Sequence, residues 1–422
     1  MFPTLQADTY EESFIDSMFS PTRMFAPIMA AIVTWAIGIY VALILESPYR
    51  NDDLLNKEIP SILKTTHQSL GRFIWLQVSV YVRADARFFP GGLGWTYALF
   101  DVFDERSSYK LVVGLVLALA LVITGLCVAA MARSWVPAGA FVLIASGTLQ
   151  VRLWADGLTS FAGLMMLTTA LTLGALLLLL VKSGRWWTLL AAVLYLAALL
   201  TYEAVFVLAP FLIAVIVLSR RDWRPTIAIA VPAVLALLTT ISLKLFTDAH
   251  PISEYTLSFG PSAVLTTFAK QMVAALPLSQ WWLGHTDGLP PIAGTLILLS
   301  VVLVGLPVFI GLYRLAENLR LPDEHAAKLC GLLGAGMWIA PAALIAVTKR
   351  WQVSMPWGQG YISVVYEYLG LALCLLSLWL FVSRRLQIGY RARAIRVWNI
   401  GGAAALAVMA TMTLAANLSL MP

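Results

Sequence analysis

Apolar runs of about 20 residues recur from Met24 to the C-terminus, and they constrain the fold more than any other property of the chain. A run of that length is what an α-helix needs to cross a hydrocarbon core of roughly 30 Å. Backbone N–H and C=O groups in lipid must be satisfied within the structure, so the runs are expected to be helices. The alternating ten-residue strands of an outer-membrane barrel are not seen. Composition agrees, with 60% hydrophobic and 12% charged residues, against roughly 25% charged in soluble domains. The predicted fold class is all-α, a polytopic integral membrane helix bundle of about 11 transmembrane helices. The predicted spans are 24–45, 110–131, 136–150, 158–181, 187–201, 204–218, 226–246, 291–313, 329–348, 363–383 and 397–418. The pair flanking Thr201-Tyr202-Glu203 reads either as two spans or as one long broken helix, which would change the side of the C-terminus.

Orientation follows from Lys and Arg in short loops. Arg133, Lys182, Arg185, Arg220, Arg221, Arg224, Arg314, Arg320, Lys328, Arg384, Arg385, Arg391, Arg393 and Arg396 share one side with Arg23, which predicts that side as cytoplasmic. The outward side then holds loop 46–110, the turn 151–157, Tyr202-Glu203, loop 247–290 and segment 349–362. The net charge of +6 reflects anchors near anionic lipid, so membrane lipid is an expected partner and nucleic acid is not. Cys127, Cys330 and Cys374 all lie in spans, which argues against disulfides or a metal cluster. Asp8, Glu11, Glu12 and Asp16 replace the positive n-region of a signal peptide, so the first span is expected to stay as a helix. Gly91-Gly92-Leu93-Gly94 lacks a strand–helix context and reads as a turn. Residues 1–422 read as one transmembrane domain, with 46–110 as its long outward loop.

That loop is too long for a simple connector. From Lys57 to Phe88, Ile59, Ile62, Leu63, Leu70, Phe73, Ile74 and Tyr81 recur at helical spacing between Lys57, Lys64, His67, Arg72 and Arg83. Such segments lie in the interface plane, and amphipathic interfacial helices are expected here. Asp52-Asp53 opens the loop. One carboxylate is explained by helix capping. Two adjacent ones need a cation, a proton or an arginine to relieve them. A general base, a metal ligand or a sugar-hydroxyl acceptor would account for the pair. Arg152 and Asp156 stand four apart and would pair on a helical turn, or Arg152 would grip a phosphate through its planar fork. Glu203, beside Tyr202, interrupts more than 30 apolar residues, and such a carboxylate is functional by default. Loop 247–290 adds His250, Glu254, Lys270, His285 and Asp287. Lys349-Arg350-Trp351 mixes cations with aromatics, as a donor pocket or an interfacial belt would.

With these residues in view, the chain resembles the GT-C class of polyprenyl-phosphate-sugar-dependent glycosyltransferases, and within it the bacterial serotype-converting glucosyltransferase type. The resemblance rests on a first span followed by Asp52-Asp53, on Gly71-Arg72 about twenty residues later, and on Thr201-Tyr202-Glu203-Ala204 at a later outward helix end. It covers the first two hundred residues best. The chain departs from the pattern at Leu54, Leu55, Asn56 and Lys57, where an Arg is expected, and at Phe73, where a Pro commonly follows Gly-Arg. The resemblance implies a GT-C-like bundle in a bacterial inner membrane, with its site facing the periplasm. It implies a polyprenyl-phosphate sugar donor and a glycan, glycolipid or protein acceptor. Asp52 or Asp53 would be the base. Arg72, Arg87 and Arg152 would bind phosphate or orient the sugar, with Asp156, Tyr202 and Glu203 as further contacts and Lys349, Arg350 and His285 more remote. No cofactor is demanded; a divalent cation, Mg or Mn, would be held by Asp52 and Asp53. The competing classes are a transporter or flippase of lipid-linked saccharides, which predicts an inverted repeat and midplane charges, and a non-catalytic envelope-assembly partner.

Overall fold

The computed structural model describes residues 25–246, 256–284, 289–317, 324–389 and 392–421. These residues are helical apart from connecting loops and one isolated bridge, Leu257 with Thr348. Among the described residues nine helices are long and apolar enough to cross a membrane, so the architecture is that of a multi-pass membrane bundle. In chain order the main elements are α1 (Phe25–Glu46), α2 (Asp53–Asn56), α3 (Ile59–Thr66), α4 (Leu70–Asp85), α5 (Pro90–Val102), α6 (Arg106–Ala132), α7 (Trp135–Ala145), α8 (Leu164–Val181), α9 (Arg185–Thr201), α10 (Ala209–Arg220) and α11 (Ile227–Phe246). There follow α12 (Pro261–Ala274), α13 (Ser279–Leu283), α14 (Gly294–Glu317), α15 (Glu324–Ala346), α16 (Lys349–Ser354), α17 (Val364–Ile388) and α18 (Ala392–Ser419).

Helices α15 and α17 form the centre. A Cβ at Gly334 would lie 2.8 Å from the Gly370 carbonyl, and one at Gly370 would lie 2.6 Å from the Trp338 nitrogen. Small residues let helix backbones close in where lipid offers no hydrophobic drive to associate. By contrast α11 shows Val231, Val234, Leu235 and Leu238 at its surface, as a lipid-facing helix does.

The predicted span 136–150 is only half built. Helix α7 has 11 residues, about 16 Å at 1.5 Å per residue, and then the chain runs on without regular structure to Ser160. Its backbone is satisfied by side chains instead. Thr413 donates to the Gly147 carbonyl (2.8 Å). Asn417 donates to Leu149 O and accepts from Val151 N–H, each at 2.9 Å. Gln280 donates to Val151 O (3.0 Å). Irregular backbone at membrane depth is tolerated where protein surrounds it, and hydropathy does not separate this case from a helix.

The stretch around Glu203 is two antiparallel segments. Helix α9 ends at Thr201, a 3-10 turn spans Glu203–Leu208, and α10 follows. Arg220 at the far end of α10 donates to Lys182 O (2.8 Å), beside the start of α9, so the chain has turned back. The glycine cluster is also not a turn: Gly91, Gly92 and Gly94 lie in the first turns of α5. A Cβ at Gly92 would sit 2.2 Å from the Thr201 carbonyl. The glycines let α5 seat directly on the end of α9.

All the segments predicted to face outward meet at one end of the bundle. Loop 46–110 reaches segment 151–160 through Arg50 and Lys110 and reaches Glu203 through Arg87. Arg152 reaches Gly358 and Ala274. Lys270 on α12 donates to Met355 O (2.8 Å). Leu420 accepts from Arg50 at the same end.

Candidate functional site

The floor of the loop end is a clasp between residues 49–53 and segment 151–160. Asn51 adopts a left-handed backbone (φ 50°). With its amide set to satisfy both neighbours, Nδ2 donates to Trp154 O (2.7 Å) and Oδ1 accepts from Asp156 N–H (3.2 Å). Arg50 donates to Leu420 O and weakly to Arg152 O. Asp53 is wholly buried, and its Oδ2 lies 3.4 Å from Nζ of Lys110, also wholly buried on α6. The Lys110 ammonium donates in addition to Thr159 O. Burial pushes the Asp53 carboxyl up to about 6, against the pull of Lys110 and the Tyr109 hydroxyl. Asp156 closes a local turn, accepting from Leu158 N–H (3.0 Å) and from the Thr159 hydroxyl. Burial raises its carboxyl too, opposed by Thr159 and Arg50.

Asp52 faces the other way. It occupies the position before α2, yet its side chain makes no capping bond, so capping does not explain it. Among the described residues its carboxylate has no hydrogen bond or ion pair. Asp52 is solvent-exposed, but surrounding protein still raises its carboxyl, and the charge of Arg350 partly offsets this. Tyr97 on α5 shares the neighbourhood: burial, then Tyr81 and Asp52, raise its hydroxyl. The guanidinium of Arg350 lies 5.0 Å from the Trp351 ring centre. Trp351 stacks on Tyr361 (centroids 4.0 Å apart, 29° between planes) and meets Trp154 edge-on (5.7 Å). A carboxylate, a cation and an aromatic stack thus border one mouth.

The second cation of this mouth is Arg87. The close seating of α5 on α9 brings it to Glu203: Nε and Oε1 are 2.5 Å apart, and both side chains are largely buried. Phe89 and Tyr202 present their rings to the guanidinium at 4.6 and 5.8 Å. Burial alone would lower Arg87, but Glu203, Tyr202 and Tyr361 outweigh it and hold the group charged. Tyr202 also lines a small apolar cleft, with room for about one water, formed with Val205, Leu208, Pro341, Leu344 and Ile345.

The structure does not bring every predicted residue to this mouth. Arg152 does not pair with Asp156. It is fully buried and donates to Tyr368 Oη (2.7 Å), Gly358 O (2.5 Å) and Ala274 O, so it ties α12, α17 and segment 355–363 together as a framework residue. Arg72 is exposed in the first turn of α4, where only its backbone N–H is engaged, by Ser69 (3.4 Å). Lys349 is exposed, and its backbone N–H bonds Thr256 O (2.9 Å). His250, Glu254, His285 and Asp287 lie outside the described residues. Asp53 is buried against Lys110, whereas Asp52 is solvent-exposed. Among the described residues no group of three or more His, Cys, Asp or Glu has metal-binding geometry.

Several residues of the arrangement carried no sequence signal as site members. Lys110 reads as the boundary of a span, and Arg50 and Asn51 as ordinary loop residues. Glu367 sits wholly buried in the first turn of α17 and accepts from Gln271 (2.8 Å). An ionisable residue inside a predicted span was the available signal for it.

A scan against protein-family models, a search of curated proteins and a search of solved structures each return no match.

Proposed function

We propose that the protein is a membrane glycosyltransferase that moves a sugar from a polyprenyl-phosphate donor to a hydroxyl of an envelope glycan, glycolipid or protein at the outer face of a bacterial inner membrane. The observation that carries this reading is Asp52: an exposed carboxylate with no hydrogen bond or ion pair among the described residues, within electrostatic reach of Arg350. The shorter apolar helices α7 and α9 are taken as the tenth and eleventh crossings. Leu420 lies at the loop end with Arg50, which calls for an odd number of crossings and which nine and eleven satisfy alike; the reversal of the chain between α9 and α10 is what favours counting α9.

In the reaction, Asp52 accepts the proton of the acceptor hydroxyl as its oxygen bonds to the anomeric carbon. The bond from that carbon to the phosphate oxygen breaks, and the leaving polyprenyl phosphate keeps the electron pair. Arg87 and Arg350 stabilise the developing phosphate charge, most effectively where water is partly excluded. The half-buried Tyr361, stacked on the buried Trp351, offers a ring face to a sugar, and the apolar residues beside Tyr202 suit contact with the start of a prenyl chain. A divalent ion is compatible with Asp52 only if donor phosphate oxygens complete its coordination.

The test uses protein in nanodiscs, radiolabelled polyprenyl-phosphate hexoses and pentoses, and a membrane glycan extract. Transfer by wild type and none by Asp52→Asn supports the reading. Donor binding without turnover in both proteins transfers the case to a flippase or an accessory protein.

A further inference from the structure

The Arg87–Glu203 contact is peculiar for a largely buried ion pair. An Arg–carboxylate pair gains most from two parallel bonds, but here only Oε1 of Glu203 meets Arg87 Nε, at 2.5 Å. Oε2 is buried with no hydrogen-bond partner. A buried carboxylate oxygen without a donor costs the pair part of what it gains, so the arrangement is poised for exchange. Both partners sit on segments that can yield: Arg87 follows left-handed Ala86 (φ 52°), and Glu203 begins a 3-10 turn, whose hydrogen bonds are weaker than those of an α-helix. A second cation is at hand, because Lys244 in the last turn of α11 lies within electrostatic reach of Arg87, Glu203 and Asp85. The same 3-10 turn supplies Val205, Val207 and Leu208 to the apolar cleft.

We infer that Glu203 is a resident counter-ion for Arg87 which the phosphate of an apolar-tailed ligand displaces, so that Glu203 sets the affinity of the site by competing with the phosphate. The anionic oxygen of the ligand takes the Arg87 edge, the tail lies against the apolar residues beside Tyr202, and Glu203 turns towards Lys244. No covalent bond changes, and the incoming negative charge meets the two cations Arg87 and Lys244. This rests on the proposed use of a prenyl-phosphate donor, which does not itself call for a competing carboxylate.

The test measures binding of farnesyl phosphate, with farnesol and inorganic phosphate as controls, to protein in nanodiscs. Glu203→Gln should bind farnesyl phosphate about tenfold tighter than wild type, a difference of about 1.4 kcal/mol, with unchanged farnesol binding. Arg87→Gln should lose the phosphate-dependent part, and Glu203→Gln with Arg87→Gln should match Arg87→Gln alone, because the two act as one unit. Glu203→Asp, which keeps the charge but shortens the reach, should also tighten binding and serves if the amide variant does not fold. Equal or weaker binding by a folded Glu203 variant, or additive effects in the double variant, overturns the inference. Sugar transfer is scored separately. Tightening without turnover in any protein removes the transferase reading and leaves the counter-ion role standing. Turnover by wild type without tightening removes only the counter-ion role.

Discussion

Two halves of one loop end use charge in opposite ways. In the clasp beneath the mouth, Arg50, Asn51, Asp53, Lys110 and Asp156 are committed to partners within the protein. In the mouth, Asp52 has no hydrogen bond or ion pair among the described residues, and Arg350 is near enough to act on its charge. The adjacent carboxylates that look mutually costly in sequence are relieved separately, Asp53 by a buried lysine and Asp52 by solvent and an arginine. The buried half ties residues 50–53 to segment 151–160 and leaves the neighbouring Asp52 carboxylate exposed.

The sharpest way to break this comparison is to neutralise each carboxylate in turn. Asp52→Asn should lower kcat by about 10²–10⁴, the usual contribution of a general base, with thermal unfolding in detergent unchanged. In wild type the acid limb of the pH–rate profile should lie above the usual carboxylate value near 4, because the Asp52 carboxyl is raised. Equal turnover by Asp52→Asn would erase the distinction between the halves.

The next largest effect belongs to the clasp. Lys110→Met leaves a buried carboxylate without its cation and should destabilise by about 3–5 kcal/mol, read from thermal or denaturant unfolding. The loss should grow with pH, because Asp53 escapes it by taking up a proton. Lys110→Met with Asp53→Leu should recover most of the stability, since apolar replacement of a buried pair is often neutral.

Gly92→Ala should cost about 1–3 kcal/mol by overpacking, because its methyl meets the Thr201 carbonyl backbone. By loosening Arg87 from its competitor Glu203 it should also lower the donor KM; a lower stability with an unchanged KM would separate the seating of α5 from the mouth.

A smaller effect is expected in the pH dependence of stability. An unfolded Asp ionises near pH 4, whereas folded Asp53 keeps its proton up to about 6. Between these values the native state binds more protons, so this group lowers stability as pH rises through the window. Unfolding temperatures of Asp53→Asn measured from pH 4 to 6 should lack that downward contribution. The smallest effect should come from Arg72→Gln, with a donor KM within about twofold of wild type, while Arg87→Gln raises KM by about tenfold or more, the scale of one charge-assisted bond. Equal effects of the two would restore the Gly71-Arg72 motif to the site.

Much of the fold was legible because a span announces itself locally. The runs that became α1, α6, α8, α15 and α17 are continuous and apolar, and lipid leaves their backbone one choice. Segment 146–160 was not legible, because its carbonyls are satisfied by Thr413, Asn417 and Gln280 rather than by a helix ladder. The cluster Gly91-Gly92-Leu93-Gly94 looked like a turn because glycine marks both turns and close helix contacts, and only the Thr201 carbonyl tells them apart. Arg152 looked like a ligand-binding arginine because its residue type is the same whether its fork meets a phosphate or backbone carbonyls.

The sequence by itself determined the all-helical membrane architecture, the clustering of polar loops and the candidacy of Asp52-Asp53, since these depend on composition and short-range spacing. Only the tertiary structure decided which carboxylate is free, that Arg87 meets Glu203 and not Arg152 Asp156, and that Lys110 belongs beneath the mouth. Those assignments depend on pairs such as Asp53–Lys110 and Arg87–Glu203, far apart along the chain and joined only by packing. A charge at a loop end has no fixed role until the neighbouring helices supply or withhold its partner.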